Sequence, residues 1–159
     1  MAAGTETTEA IGARFGSEIL AADGGVDRAK LGPIVFADAA ARRDLEAIVH
    51  PAVYRAITAG LRAFELLGGS PLAMVDVPLL YETGHSADFD RVIVAACPLE
   101  VQMQRLVKRG MTEGEASQRL TAQWPTGEKA LRADFVISTE GSFEETNQQV
   151  AQVFQNLRI

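Results

Sequence analysis

Three short, almost unbroken apolar runs are the feature that most limits what this chain can fold into. They lie at 72–77, 92–96 and 135–137, and each is followed by a turn or loop and then by a helical pattern. Runs of this kind are typical of strands that are buried on both faces, as in parallel sheets. Alternation of strands and helices implies right-handed crossovers, so the sequence predicts a layered α/β domain around a parallel sheet.

The first two-fifths of the chain shows only helical patterns. The predicted helices lie at 5–15, 27–36, 38–49 and 52–67. Asp27 and Asp38 are suited to be N-caps, and Gly68 is suited to end the last of these helices. We expect His50-Pro51 to interrupt the helix that begins at Asp38, because an internal proline either kinks a helix or opens a new one.

The second half adds helices between and after the predicted strands. A helix over 99–109 ends at Gly110, and two capping-box patterns, Thr112-x-x-Glu115 and Ser142-x-x-Glu145, open two more. The first of these runs to about Gln123 and is closed by Trp124-Pro125. Three strands make a thin sheet for a doubly wound domain, which suggests that part of the sheet is missing from these residues.

Composition and charge argue against several classes of protein. The 159 residues are enough for one domain, the formal net charge is −6, and the one cysteine cannot form an internal disulfide or a cysteine-based zinc cluster. An acidic chain is a poor nonspecific nucleic-acid binder, and no apolar run approaches the ~20 residues of a membrane span. The first residues lack the basic and apolar regions of a secretion signal. We therefore expect a cytoplasmic protein with neither nucleic-acid nor membrane partners.

The end of the first apolar run carries a carboxylate. Asp76 lies in Val75-Asp76-Val77-Pro78-Leu79-Leu80-Tyr81-Glu82. In open parallel sheets, ligands bind beyond the carboxyl ends of the strands, where an aspartate can hold a metal–phosphate group or orient a hydroxyl. The alternative is an aspartate that only caps the loop, and the residue taken alone slightly favours this alternative.

Residues 105–132 form a locally basic segment in an acidic chain. Arg105 and Arg109 lie four positions apart on one helix, while Arg119 and Gln123 have the same spacing on the next. Guanidinium groups match phosphate oxygens, so a helical hairpin that carries them resembles a lid that closes over phosphates. Ordinary solvated charges on an exposed helical pair are the alternative.

The remaining reactive side chains form no recognisable site. His50, beside Pro51, either presents its ring to a ligand or binds a backbone carbonyl, and the two histidines have no metal-ligand spacing. Cys97 is interpreted as a small core residue. Gly127-Glu128-Lys129-Ala130 looks faintly like the end of a phosphate loop, but it follows no strand and lacks the Gly-x-x-x-x-Gly-Lys-Ser/Thr pattern, which is absent from the 159 residues.

Six sequence blocks in order resemble the dephospho-CoA kinase family. The most specific is Asp76-Val77-Pro78-Leu79-Leu80-Tyr81-Glu82, which is similar to the family's DVPLLFE signature. The others are Phe15-Gly16 with Asp27-Arg28-x-x-Leu31, Leu45-Glu46-x-Ile48-x-His50-Pro51, Gln102-x-x-Arg105-Leu106-x-x-Arg109, Arg119-Leu120-x-x-Gln123, and Ala133-Asp134-Phe135-Val136-Ile137 with Glu140-Gly141-Ser142. Thr139 stands where the family usually has asparagine.

The resemblance implies a fold and a reaction. The fold is a P-loop kinase-like parallel sheet with helices on both faces and a helical lid at 105–132, with substrate-side helices at 38–68. The reaction is ATP-dependent phosphorylation, with Mg²⁺, of the ribose 3′-hydroxyl of dephospho-CoA to give coenzyme A.

The resemblance also implies roles for individual residues. The expected catalytic residues are Asp76, Arg109 and Arg119; the substrate-binding residues are His50, Pro78, Leu79, Leu80 and Glu82; the phosphate and lid residues are Arg105, Arg109, Arg119 and Gln123; and the adenine-side residues are Thr139 and Gly141. No protein side chain is expected to form a metal site of its own.

These residues differ from the family in one respect, the lack of its N-terminal phosphate-loop segment, and this difference leaves more than one function possible. The family's phosphate loop, its first strand and a second strand ending in Asp-x-Asp would all precede Met1, and the first strand would lie between those matching 72–77 and 91–96. We therefore expect 1–159 to be one domain, an incomplete P-loop kinase core that lacks two strands and has impaired activity. The alternatives are a non-catalytic CoA- or nucleotide-binding protein or truncated fragment, and another nucleoside or nucleotide kinase.

Overall fold

The computed structural model describes residues 4–69 and 71–157. The chain divides into two compact units, Met1–Asp76 and Val77–Ile159. Helices dominate the first unit, and the second contains a parallel sheet with helices. The α/β class predicted from the sequence is therefore confirmed, while a single domain over 1–159 stays a prediction.

The first unit begins with helices that start where their caps predict. They are α1 (Glu6–Phe15), α2 (Arg28–Ala37) and α3 (Ala39–Leu67). The Asp27 carboxylate accepts the N–H groups of Ala29 and Lys30 at 3.0 and 3.2 Å, and the Asp38 carboxylate accepts that of Ala40 at 2.7 Å. Each aspartate thus satisfies backbone donors that a helix start leaves unpaired, which confirms both predicted caps.

The predicted interruption at His50-Pro51 is wrong, because α3 runs through Pro51 as one helix of 29 residues. Proline removes one backbone donor, so the carbonyl of Ala47 loses its usual partner four residues on. Good helix formers on both sides, many of them alanine, leucine, arginine and glutamate, keep the remaining hydrogen bonds favourable. Gly68, with φ of 63°, ends the helix as predicted.

The core of the first unit lies where α1, α2 and the N-terminal half of α3 meet. Its buried residues are Ile11, Ile19, Leu31, Val35 and Ala41, with Phe15, Leu20, Val26, Leu45, Ile48 and Val49 packed around them. Beyond Pro51 the apolar stripe of α3 is less covered, since Val53 and Phe64 are exposed. Burial in this unit therefore stabilises mainly the half of α3 that precedes the proline.

The second unit is built on two parallel strands, β1 (Ile93–Ala96) and β2 (Phe135–Ser138), in a register that pairs Ile93 with Phe135. Both match predicted strands. At one end the Val92 N–H donates to the Asp134 carboxylate over 2.8 Å, and at the other the Thr139 N–H donates to the Ala96 carbonyl over 2.8 Å. The pairing is therefore fixed at both ends by residues just outside the strands.

The predicted strand at 72–77 is wrong: the structure describes residues 72–77, and no hydrogen-bonded strand is formed there. An apolar run becomes a strand only when a neighbouring strand accepts and donates its backbone hydrogen bonds. The sheet of the described residues contains only β1 and β2. The composition of the run was suited to a buried strand, but composition does not provide a neighbour.

Four helices accompany the sheet: α4 (Leu99–Lys108), α5 (Glu113–Thr121), α6 (Thr126–Ala130) and α7 (Phe143–Leu157). Both predicted capping boxes are present. Thr112 and Glu115 exchange hydrogen bonds at the start of α5, and Ser142 and Glu145 do so before α7. The sequence did not predict α6, a helix of one turn that begins directly after Pro125.

Helix α7 also protects the last residue of β2. The Gln149 side chain accepts the Ser138 N–H at 2.8 Å and donates to the Ser138 carbonyl at 3.0 Å. One amide side chain thus replaces a neighbouring strand at that position. Among the helices of the described residues, none combines the length and apolar content that a membrane span requires.

Candidate functional site

The segment from Val77 to Gly84, called here the 77–84 loop, folds into consecutive turns. The N–H groups of Thr83, Gly84 and His85 donate to the carbonyls of Leu79, Tyr81 and Leu80 over 3.0–3.1 Å. Gly84 has φ of 75°, a conformation that side chains with a Cβ disfavour. The loop that carries the most specific sequence motif is therefore internally hydrogen-bonded.

Glu82 forms an ion pair at the base of the 77–84 loop. Its Oε1 lies 2.6 Å from Nζ of Lys129, and the two side chains are only 14% and 13% exposed. The same Oε1 accepts the backbone N–H of Trp124 over 2.9 Å. One carboxylate oxygen of the loop is therefore bound by α6 and by the residue at the end of the α5 segment.

The charge of Glu82 is favoured by this environment. Burial by itself would raise the pKa of the carboxyl group, because it disfavours the charged form. Hydrogen bonds from Lys129, from the Glu82 and Trp124 backbones, and the lysine charge outweigh that effect and hold the pKa below its ordinary value. The Glu82 carboxyl group is therefore ionised at neutral pH.

Lys129 makes a second contact with the same loop. Its Nζ lies 3.5 Å from the carbonyl of Pro78, so the ammonium group reaches both the start and the end of Pro78–Glu82. Residues 127–130 resemble a phosphate loop only faintly in sequence, and nothing in their pattern predicts this role for Lys129. Positions 82 and 129 are far apart in the chain, and no periodicity or motif linked them.

Aromatic packing covers the same region. The ring of Tyr81 stacks on that of Trp124 with centroids 6.2 Å apart, and the guanidinium of Arg132 lies 4.9 Å from the Trp124 ring centre. Burial, followed by repulsion from Asp134, raises the pKa of Tyr81, with Arg132 opposing them. Within the described residues, Tyr81 Oη and Glu82 Oε2 are buried without a hydrogen-bond partner.

Arg105, a predicted lid residue, is bonded within the second unit. Its Nη1 donates to the Thr139 hydroxyl over 3.1 Å, and its Nη2 donates to the Thr139 carbonyl. Nη1 also approaches the Cys97 sulfur at 3.7 Å. The structure thus joins a predicted phosphate residue on α4 to a predicted adenine-side residue at the end of β2.

The other predicted lid residues present their side chains to solvent. Arg109 caps the end of α4, Arg119 lies in the last turn of α5, and Gln123 follows that helix. All three are exposed, and in the described parts of the chain their side chains have no hydrogen bond or ion pair. They are therefore available to a ligand, unlike Arg105.

Gly141 lies where a larger residue would crowd a cap. A Cβ built at Gly141 would come within 2.2 Å of an oxygen of Glu145, the carboxylate that accepts from the Ser142 N–H and hydroxyl. A side chain there would displace Glu145 from the capping box. The glycine therefore keeps the turn between β2 and α7 compact.

The first unit holds two predicted site residues. His50 is half-buried on α3, and Asp76 is exposed in an irregular segment. Neither side chain has a hydrogen bond or ion pair with the described residues. No group of three or more histidine, cysteine, aspartate or glutamate side chains in the described chain is arranged to hold a metal ion.

Comparison with known proteins gives a consistent result. The sequence profile of a family described as dephospho-CoA kinase matches residues 1–145. The chain is 46% identical to a dephospho-CoA kinase of Anaeromyxobacter dehalogenans and 42% identical to that of Geobacillus kaustophilus. These matches cover 98% and 96% of this chain, and 74% and 76% of the relatives.

Solved structures show the same likeness. The crystal structure of TT1252 from Thermus thermophilus matches with a TM-score of 0.76 and 32% identity, over 95% of this chain and 76% of that one. A dephospho-CoA kinase from Campylobacter jejuni matches with a TM-score of 0.62 and 28% identity, over 87% of this chain and 69% of that one. The likeness therefore extends to the arrangement of the backbone.

Proposed function

Because the chain belongs to the dephospho-CoA kinase family, we propose that the 77–84 loop is its binding surface for the acceptor substrate. The chain is a kinase, a phosphotransferase with an alcohol acceptor, whose substrates are ATP and dephospho-CoA. The observation that carries the proposal is that the loop bearing the most specific family motif is held in place by the Glu82–Lys129 pair.

The proposed acceptor residues are of two kinds. Pro78, Leu79 and Leu80 offer apolar surface, since Pro78 is exposed and the leucines are partly covered. Glu82 has a buried oxygen, Oε2, without a hydrogen-bond partner in the described residues, and this oxygen can accept from a hydroxyl or amide N–H. His50 is a further residue proposed to bind the acceptor.

Asp76 is the proposed catalytic carboxylate of these residues. Its side chain is exposed and has no partner among the described residues, so it is available to substrate. In kinase sites Mg²⁺ takes one or two carboxylates together with phosphate oxygens, and Asp76 fits that kind of donor. Mg²⁺, when bound, neutralises phosphate charge; Asp76 would hold the ion or orient the acceptor hydroxyl.

Arg109 and Arg119 are the proposed phosphate ligands of the lid, with Gln123 beside them. Their exposed guanidinium groups have no competing partner in the described chain, and planar forks of N–H donors match phosphate oxygens. Arg105 is a weaker candidate because it is bonded to Thr139. Thr139 and Gly141 are proposed to lie on the adenine side, where Arg105 fixes the backbone of Thr139.

The impaired activity expected from the sequence remains a proposal. These residues contain no Gly-x-x-x-x-Gly-Lys-Ser/Thr segment. Phosphoryl transfer depends on positioning and on electrostatic stabilisation by such a cradle. The second candidate function is that the chain binds dephospho-CoA without phosphorylating it. We propose that the chain acts in the cytoplasm in either case.

Calorimetric titration of dephospho-CoA into the 159-residue chain tests the proposal. We expect saturable binding that Asp76→Asn weakens, while Asp90→Asn, a matched change at another exposed aspartate, leaves the affinity unchanged. Another nucleotide, such as AMP or thymidine monophosphate, is the control ligand. No saturable binding of dephospho-CoA, or equal binding of the control nucleotide, would contradict the proposed acceptor.

A further inference from the structure

We propose that Lys129 is a positioning residue for the acceptor, acting through the 77–84 loop rather than by touching the substrate. The inference rests on the proposed function, since it concerns the surface that would bind dephospho-CoA. No motif in the sequence assigns Lys129 to a site. The proposed role also explains the position of the short helix α6, which places Lys129 in contact with the loop.

The contacts of Lys129 go to two separated points of one loop. Nζ lies 2.6 Å from Glu82 Oε1 and 3.5 Å from the Pro78 carbonyl. An ammonium group has three donors, so it can bind both acceptors at once. The loop is thereby held at both ends of the stretch that carries the apolar acceptor residues.

Stability alone is a weak explanation for such a pair. A largely buried ion pair often adds little free energy of folding compared with apolar side chains of similar volume. Trp124 already contributes a backbone N–H to Glu82 Oε1 and an aromatic ring that stacks on Tyr81. We infer that Lys129 mainly orients the Glu82 carboxylate, because a charge-assisted hydrogen bond fixes the geometry of its two partners.

The orientation matters because the two oxygens of Glu82 differ. Oε1 is bound by Lys129 and Trp124, whereas Oε2 is buried and has no partner in the described residues. A buried carboxylate oxygen without a partner is costly, and a ligand with a hydroxyl or amide donor would remove that cost. Dephospho-CoA has both kinds of donor. Lys129 thus determines which of the two oxygens is left without a hydrogen-bond partner.

The test compares Lys129→Met and Lys129→Arg with Arg91→Met as the matched control. Arg91 forms an exposed ion pair with Asp134 in the same unit, at 3.9 Å. Hydrogen exchange of the Thr83, Gly84 and His85 amides reports the loop without any ligand, and calorimetry with dephospho-CoA reports the acceptor site. Fluorescence of Trp124, the only tryptophan, reports the packing around Tyr81.

We expect Lys129→Met to speed amide exchange in the loop and to weaken dephospho-CoA binding about tenfold, the effect of losing one charged hydrogen bond. Lys129→Arg keeps the charge and should stay close to the original protein in both measurements. Arg91→Met should change neither. If circular dichroism shows that Lys129→Met does not fold, Lys129→Gln replaces it. We then expect a smaller increase in amide exchange and a smaller decrease in affinity for dephospho-CoA.

Two results would overturn the positioning role. One is unchanged exchange in the loop; the other is faster exchange with unchanged affinity, which would make the pair merely structural. If the original chain does not bind dephospho-CoA, the proposed function fails and the positioning role fails with it. That case is recognised because it appears before any variant is made.

Discussion

The guanidinium of Arg105 on α4 is bonded to both the hydroxyl and the carbonyl of Thr139 at the end of β2. The hydroxyl contact is 3.1 Å long, and Thr139 in turn donates its N–H to Ala96 of β1 over 2.8 Å. Helix α4, β1 and β2 are thus connected through one residue. Arg105, which the family resemblance assigns to a phosphate-binding lid, is thus also bonded to the residue that follows β2.

Replacing Arg105 should therefore lower stability, whereas replacing the two exposed arginines should not. Arg105→Ala removes the hydrogen bonds to Thr139 and is expected to reduce the free energy of unfolding by about 1 kcal/mol. Arg109→Ala and Arg119→Ala should change it by less than about 0.5 kcal/mol. Urea unfolding measures all three, and equal effects would show that the bonds to Thr139 contribute nothing.

In a chimaera that supplies the phosphate-loop segment of a dephospho-CoA kinase relative, the exposed arginines should matter for catalysis. Arg109→Ala and Arg119→Ala are expected to lower kcat more than they raise the dissociation constant for dephospho-CoA. Charges placed for the transferring phosphoryl group act mainly in the transition state. Steady-state kinetics measure this, and an unchanged kcat in both variants would leave these arginines as surface charges.

By itself, the 159-residue chain should show no magnesium-dependent ADP release above background with ATP and dephospho-CoA. The reason is that its residues contain no Gly-Lys-Ser/Thr cradle for the phosphates. A coupled ADP assay measures the activity, with the chimaera as positive control. Robust turnover by the unmodified chain would show that other residues supply the cradle.

Acid should remove a stabilising contribution from Glu82. Its pKa in the folded protein lies below the ordinary value of 4.5, so the contribution is fully present above that value and is lost as the pH falls through the folded pKa. Glu82→Gln should cost about 1–3 kcal/mol near pH 7, because Lys129 loses its charged partner.

The comparison of original and variant across pH isolates this residue. Glu115 and Glu145 also have lowered pKa values, owing to the hydrogen bonds of their capping boxes, but both remain in the variant. The difference in unfolding free energy should therefore shrink below about pH 4. A difference that stays constant from pH 7 to pH 3 would contradict the assignment to Glu82.

Pro51 should destabilise α3. Proline inside a helix is about 3 kcal/mol less favourable than alanine, so Pro51→Ala is expected to raise the free energy of unfolding by about 1–3 kcal/mol. Gly60→Ala, at an open position of the same helix, is the comparison, with an expected gain of about 1 kcal/mol. Thermal and urea unfolding measure both. A smaller gain for Pro51→Ala would indicate that the helix has already adapted to the proline.

The sequence by itself determined the features that depend on neighbours in the chain. Helix starts are local features, because a capping side chain accepts a backbone N–H group two or three residues further along the chain. The capping residues are Asp27, Asp38, Thr112 and Ser142. The six sequence blocks that resemble the family are also recognised from the sequence alone, and they indicate the enzyme class. β1 and β2 lie within the apolar runs at 92–96 and 135–137, which the sequence predicts to be strands.

Only the tertiary structure decided what depends on contacts between distant parts of the chain. The run at 72–77 has the composition of a strand, but it forms none, since a strand requires a partner that composition does not supply. α3 continues through Pro51 because the hydrogen bonds on both sides outweigh one lost donor. The pairing of Glu82 with Lys129, and of Arg105 with Thr139, depends on three-dimensional packing, and packing brings together residues that no spacing in the sequence connects.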